Sequence, residues 1–139
     1  MSTAVLYNPQ VLGLATSLTA FPLAADLPLR GTARAATCGS VIELGLACDN
    51  TGKITRIGLR AQACAIGQAA AAIFAAAAPG TDQAGLTTAL AEIEQWLAGG
   101  AEPAWPGIAA IAPARDYPAR HGAILLAWRA ALVALAAPG

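Results

Sequence analysis

The sequence has few charged residues and few bulky aromatic side chains. Charged residues make up 12% of the 139 residues, and eight Lys and Arg balance eight Asp and Glu. Nucleic-acid binding needs an excess of basic side chains, so this balance argues against a nucleic-acid partner. Only two Phe and two Tyr occur although 57% of the residues are hydrophobic. Much of the hydrophobic content is therefore alanine, which favours closely packed helices.

Common catalytic signatures are also missing. The sequence has no glycine-rich phosphate loop, no Gly-x-Ser-x-Gly elbow and no paired carboxylates in an apolar setting, so we expect a protein that is not an enzyme. It contains three cysteines and one histidine. An odd number of cysteines without a targeting signal indicates free thiols or metal ligands in the cytoplasm, not a disulfide framework.

Two apolar stretches could suggest a signal peptide or a membrane span. Residues 11–25 have no Lys or Arg before them, which argues against a secretory signal. Residues 122–138 carry Arg129 in the middle, which favours a buried terminal helix over a membrane span. We therefore expect no membrane partner. The length predicts one domain over residues 1–139.

The sequence predicts a helix followed by a hairpin in the first half of the chain. Asn8 before Pro9 is typical of a helix start, and this helix is predicted to reach about Thr19. Residues 30–36 are a short strand or an extended lead-in. Apolar and polar residues then alternate over 40–49 and again over 57–63, around an Asp-Asn-Thr-Gly turn. Ile54 is out of phase, which indicates either a longer turn or a bulge.

The sequence predicts several consecutive helices in the second half of the chain. Their predicted extents are 65–78, 83 to about 98, 106–112, and a last helix from 119 or 121 to 136. Strands followed by helices, without alternation, indicate the α+β class.

Two cysteines flank the predicted hairpin. Antiparallel pairing would place Cys38, before the first strand, and Cys64, after the second, at the same end of the sheet. Cys38 precedes Gly39, which lets a ligand approach closely. Cys64 opens a helix, whose positive end stabilises a thiolate. Each could instead be an inert buried thiol, and Cys48 on the apolar face of the first strand is expected to be core.

The single histidine, His121, stands near the start of the last helix. Two thiols and an imidazole suit zinc or an iron–sulfur centre. Their positions form no contiguous motif, so a hydrogen-bonded, non-ligating His121 remains the alternative. The three tryptophans lie on apolar faces or beside prolines and are expected in the core: Trp96, Trp105 and Trp128.

At these positions the sequence resembles the U-type iron–sulfur cluster assembly scaffold family, which includes IscU, SufU and the N-terminal domain of NifU. The resemblance spans about residues 8–136. It rests on Cys38-Gly39 before a strand, the strand–turn–strand, Ala63-Cys64-x-Ile66 opening a small-residue helix, and Arg120-His121 in the last helix. It implies a three-stranded antiparallel sheet packed against about five helices. It also implies Cys38, Cys64 and His121 as ligands of a nascent cluster, iron or zinc.

Two positions depart from the family pattern. Ser40 stands where the family has an aspartate, and Gly122 where it has a third cysteine. The chaperone-binding Leu-Pro-Pro-Val-Lys segment of some members has no counterpart here. Water, a partner residue or a second protomer in a homodimer could therefore complete the ligand set.

The resemblance implies a scaffold that holds a labile cluster, of the 2Fe–2S type, or zinc, and passes it to acceptor apo-proteins. The expected partners are a cysteine desulfurase or other assembly proteins. An alternative is an adaptor that keeps the fold, binds no metal and engages a desulfurase or another assembly component. A zinc-bound sulfur-transfer accessory enzyme and a Cys38–Cys64 dithiol redox pair are further alternatives, although no Cys-x-x-Cys supports the redox pair.

Overall fold

A computed structural model describes residues 7–36 and 39–136. Three strands come early in this part of the chain: β1 (Leu29–Arg34), β2 (Val41–Cys48) and β3 (Ile54–Gln62). The α-helices are α1 (Pro9–Thr16), α2 (Ala65–Ala77), α3 (Gln83–Leu97) and α4 (Pro118–Ala136). Two 3₁₀ helices span Ser17–Ala20 and Ile108–Asp116. The predicted α+β class with a three-stranded sheet is confirmed.

The strands form an antiparallel meander in the order β1-β2-β3. Leu44 lies opposite both Gly31 of β1 and Leu59 of β3. Ala47 pairs with Arg56 whereas Cys48 pairs with Ile54, so Thr55 is an extra residue in β3. This β-bulge explains why Ile54 is out of phase with the rest of the strand. Of the two explanations left open by the sequence, the bulge is correct.

One face of the sheet packs on α4. Gly31 lies on this face, and a Cβ atom there would collide with the backbone of Ala130 and Ala134. Because neither backbone atom can move aside by side-chain rotation, only glycine permits this close approach. The larger residues of the same face, Ile42, Leu44 and Leu46, are buried. The sheet and α4 therefore form the central contact of the fold.

The other face of the sheet is partly covered by the segment after the first 3₁₀ helix. A Cβ at Gly58 would collide with the backbone of Pro22, and one at Gly45 would lie 2.9 Å from the Cβ of Leu27. The Leu59 N–H donates to the Phe21 carbonyl oxygen at 2.9 Å. The alternation along β2 would suggest that its polar side faces solvent, but glycines at matching positions of β2 and β3 make room for this crossing segment.

An aromatic cluster fills the space between α2 and α4. The Phe74 ring stacks on Trp105 with 5.6 Å between centroids and meets Trp128 edge-on at 5.3 Å. The Trp105 Nε1–H donates to the carbonyl oxygen of Ile73 at 3.0 Å. Trp96 is also buried, so the prediction of three core tryptophans is confirmed.

By length and composition α4 could cross a membrane, and it is the one helix of the described residues that could. Half of its most apolar window is buried. Nine of its residues are buried against the sheet, α2 and α3. This packing agrees with the predicted buried terminal helix.

Candidate functional site

The hairpin brings the residues just before β2 and those just after β3 to one end of the sheet. Val41 pairs with Gln62, so the residues before β2 and those after β3 leave the sheet side by side. Cys38 itself lies outside the described residues, as does Thr37. Gly39 is exposed, with φ of 71° and nothing within 4 Å of where a Cβ would be. The backbone beside Cys38 is therefore open to an approaching ligand or partner.

Cys64 is the N-cap residue of α2. Its backbone is extended, with φ of −63° and ψ of 168°, and its side chain makes no capping hydrogen bond. The thiol is half-buried and packs at the edge of the core. A thiol at this point lies beside the free N–H groups of the first helical turn. This placement suits a metal-binding sulfur.

The start of α4 meets the start of α2. A Cβ at Gly67 would lie 3.2 Å from the Cβ of Ala123 and 2.9 Å from that of Ala63. Gly122 is half-buried and directly precedes this contact. Gly122, where the family has its third cysteine, therefore lies at the helix end that approaches the first turn of α2.

His121 lies in the first turns of α4, but its side chain faces α3. Residues two apart on a helix point about 200° away from each other, so His121 and Ala123 face nearly opposite sides. The ring borders a small cleft of about 260 Å³ together with Glu94, Leu97 and Ala98. Its Nε2 lies 2.9 Å from the carbonyl oxygen of Arg115.

No group of three or more His, Cys, Asp and Glu side chains with metal-binding geometry occurs within residues 7–36 and 39–136. Since Cys38 is outside these ranges, the ligand set Cys38, Cys64 and His121 remains a prediction. Ser40, which replaces the family aspartate, is 5% exposed.

Cys48 lies at the opposite end of the sheet from Cys64. Its thiol is half-buried and packs against the core, as expected from the alternation of β2. Burial raises the pKa of the Cys48 thiol, and the neighbouring Asp49 carboxylate raises it further. A raised pKa lowers the fraction of Cys48 present as reactive thiolate at neutral pH.

The role of Arg115 was not evident from the sequence. This side chain donates to the carbonyl oxygens of Trp96 at 3.0 Å and Gly100 at 3.3 Å, and its guanidinium lies 5.2 Å from the Trp96 ring centre. It therefore fastens the second 3₁₀ helix to the end of α3. A basic residue after a helix is common, so the sequence alone could not distinguish this contact from a surface charge.

No family model and no curated protein matches the chain by sequence. Solved structures do match it. The N-terminal part of a NifU-like protein from Brucella abortus superposes with a TM-score of 0.85 and 26% identity, over 95% of this chain and 93% of that one. The chain has the fold of the U-type iron–sulfur scaffold family.

Two further structures share this U-type fold. A protein from Fervidobacterium islandicum, described as an iron–sulfur cluster assembly scaffold for the SUF system, has a TM-score of 0.84 and 18% identity, over 96% of this chain and 99% of that one. A hypothetical protein has a TM-score of 0.73 and 22% identity, over 90% and 96% of the two chains. The predicted resemblance to the U-type family is thus confirmed.

Proposed function

We propose that this U-type protein is an iron–sulfur cluster assembly scaffold. It binds a nascent 2Fe–2S cluster, iron or zinc through the thiolates of Cys38 and Cys64 and passes its cargo to acceptor apo-proteins. His121 would serve as a third ligand after its ring turns away from the α3 side of α4, where Nε2 contacts the Arg115 carbonyl oxygen. The observation that carries the proposal is the placement of Cys64 as the cap of α2, at the sheet end where Gly39 and Ser40 enter β2. The fold is shared with a NifU-like protein and with a protein described as a scaffold for the SUF system.

The chemistry of these ligands suits a cluster that must be given away. Thiolates bind iron and zinc strongly. The exposed Gly39 leaves one side of the binding region open to a partner. With glycine at position 122, the protein supplies fewer thiolates than the four that commonly hold a cluster. We propose that this shortage keeps the cluster labile and leaves a position for a donor or acceptor residue.

The proposed partners follow from this chemistry. A cysteine desulfurase or another assembly protein would supply sulfur, and apo-proteins would accept the cluster. A reducing compartment, such as the cytoplasm, would keep the thiols free for this exchange.

Anaerobic reconstitution with ferrous iron and sulfide tests the proposal. The parent protein should become brown and gain visible absorbance, and Cys38→Ser and Cys64→Ser should each lose most of that signal. Cys48→Ser is the matched control, because Cys48 lies at the other end of the sheet. Its absorbance should equal that of the parent. If the Cys38→Ser, Cys64→Ser double variant reconstitutes as well as the parent, the ligand assignment is wrong.

A metal-free adaptor is the second candidate. It is favoured by the two departures from the family pattern, Ser40 and Gly122, which remove a carboxylate and a thiol from the binding region. An adaptor would remain colourless and metal-free after reconstitution but would still co-purify with a cysteine desulfurase. A scaffold would hold cluster or metal in the same experiment.

A further inference from the structure

The two edges of the sheet differ in how far the chain itself uses them. On the β3 edge, the Leu59 N–H donates to the Phe21 carbonyl oxygen at 2.9 Å, and the Ile54 N–H donates to the Thr81 carbonyl oxygen at 2.8 Å. The strand at the other edge, β1, packs on β2 and α4, and within residues 7–36 and 39–136 its backbone has no hydrogen-bond partner beyond β2. A row of unpaired backbone groups is a template for a further strand.

The register of β1 shows which of its residues direct their backbone groups to this free edge. The Ala35 N–H donates to the Ser40 carbonyl oxygen at 2.8 Å, and the β1–β2 pairs continue in the same register. Hydrogen-bonded pairs alternate along an antiparallel ladder, so residues 33, 31 and 29 direct their N–H and C=O groups to β2. The residues that direct these groups outward are Arg30, Thr32 and Arg34.

The free edge is positively charged. The side chains of Arg30 and Arg34 are exposed, and neither forms an ion pair within the part of the chain that the structure describes. The Arg30 guanidinium donates only to two backbone carbonyl oxygens. Glu43, on the neighbouring strand, lies 3.6 Å from Arg60. An acidic side chain opposite either edge arginine would therefore gain an opposite charge that is not yet paired.

The flank of α4 beside this edge is apolar. Two alanines of α4 meet Gly31 of β1. Trp128, which contacts α2 on the β3 side of the sheet, lies about 140° around the helix from those alanines. Val133 lies about 80° from them in the opposite direction, which is toward the outer edge of β1. Its side chain is 50% exposed. A strand added to β1 would cover it.

We propose that the outer edge of β1 binds an extended segment of a partner protein that carries acidic residues opposite Arg30 and Arg34 and apolar residues on the side of α4. Successive side chains of a strand point to opposite faces. The segment would therefore have the order acidic, apolar, any, apolar, acidic. Its backbone would pair with the outward groups of β1, as in other complexes in which a peptide adds a strand to a sheet.

A second copy of this chain fits the edge poorly. Antiparallel pairing of β1 with itself would bring the Arg30 and Arg34 side chains of both copies to one face, where like charges repel. Arginines on an edge strand oppose such self-pairing. They do not oppose an acidic segment.

The proposed surface goes beyond the metal ligands. Arg34 lies opposite Val41, at the sheet end where Ser40 enters β2, so a docked segment would end beside the proposed binding region. The docking itself needs no metal. It is therefore tested in metal-free protein, where its failure leaves the proposed scaffold function untouched.

Amide hydrogen exchange on the untagged protein tests whether the edge is free. The N–H groups of Gly31 and Ala33, which face β2, should exchange slowly with solvent. Those of Arg30, Thr32 and Arg34 should exchange rapidly. Slow exchange at these three residues before any peptide is added would show that the edge is already occupied and would overturn the proposal.

The probe for docking is a fluorescently labelled peptide with the core Glu-Val-Thr-Val-Glu. We expect saturable binding by fluorescence anisotropy, weaker at high salt, and slower exchange at the three outward N–H groups. The matched peptide Lys-Val-Thr-Val-Lys should bind at least about fivefold more weakly. Equal affinity for the two peptides, or no binding of the acidic one, would refute the proposal.

Substitutions at Thr32 test the backbone pairing. Thr32→Pro removes an outward N–H, and proline is tolerated at edge positions where the N–H faces solvent. Thr32→Val is the matched control, because it keeps the N–H. Binding of the acidic peptide should be lost in the proline variant and kept in the valine variant. If Thr32→Pro, at the urea midpoint of the parent, binds as the parent does, backbone pairing is refuted.

Arg34→Glu tests the charge independently of whether the proline variant folds. It should bind the acidic peptide about fivefold more weakly than the parent and the lysine peptide more tightly. If the preference for the acidic peptide is unchanged, the charge complementarity is refuted.

Discussion

Replacing Gly31 by alanine should destabilise the protein strongly. Gly31 lies on the face of β1 that packs on α4, and an added Cβ would collide with the backbone of Ala130 and Ala134. Because the obstacle is backbone, β1 and α4 must move apart, which also loosens the packing of Leu44 opposite Gly31. Overpacking of this kind costs about 3 kcal/mol.

The assay is urea unfolding followed by circular dichroism. With a slope of about 2 kcal/mol per M, a loss of that size lowers the urea midpoint by roughly 1.5 M. Gly13→Ala is the control. Gly13 lies inside α1 with nothing within 4 Å of the added Cβ. Since alanine favours the helix by about 0.5–1 kcal/mol, this variant should be slightly more stable than the parent.

The two substitutions should thus shift the midpoint in opposite directions, although both add one methyl group. If Gly31→Ala unfolds at the same urea concentration as the parent, the sheet and α4 do not approach as closely as described, and the account of the central contact is refuted.

Two further predictions concern a buried hydrogen bond and a helix cap. Trp105→Phe should destabilise the protein by about 1–2 kcal/mol more than Trp128→Phe in urea unfolding. The reason is that the Trp105 Nε1–H donates to the Ile73 carbonyl oxygen, whereas the buried Trp128 Nε1 has no partner among the described residues. Equal losses of stability in the two variants would contradict this. The Asp82 carboxylate accepts a hydrogen bond from the Gly85 N–H, and this bond, together with Lys53, lowers the pKa of Asp82. The stability that Asp82 contributes is therefore present above the ordinary aspartate pKa, and it is lost as the pH falls through the lowered pKa. Asp82→Ala should therefore lower the urea midpoint at pH 7, with the difference from the parent vanishing below about pH 3.

The hairpin was predictable from the sequence because local patterns determine it. The alternation in β2 and β3 and the turn after Cys48 are short-range signals, and even the bulge at Thr55 leaves a trace as the phase of Ile54. The last helix was predictable for the same reason, since its apolar residues recur at helical spacing.

The crossing segment over the outer sheet face was not predicted, because it depends on contacts distant in sequence. Gly45 and Gly58 are the signal that could have revealed it: glycines inside strands often mark close approach of another backbone. In the sequence they read as ordinary members of the polar face.

The candidate site was predictable only in part. The register that places Cys64 at the same end of the sheet as Gly39 and Ser40 follows from the hairpin. The hydrogen bond between His121 Nε2 and the Arg115 carbonyl oxygen could not be predicted in this way, because it depends on how the chain runs from the second 3₁₀ helix into α4. No pattern of residue types encodes that return.

The central claim is that Cys38 and Cys64 hold metal or cluster. Its most direct test is the iron, zinc and acid-labile sulfide content of untagged protein purified without oxygen. We predict iron with sulfide, or zinc, in stoichiometric amounts in the parent and in Cys48→Ser, and near-zero content in the Cys38→Ser, Cys64→Ser double variant. A metal-free parent, or a double variant that retains the metal of the parent, would contradict the account.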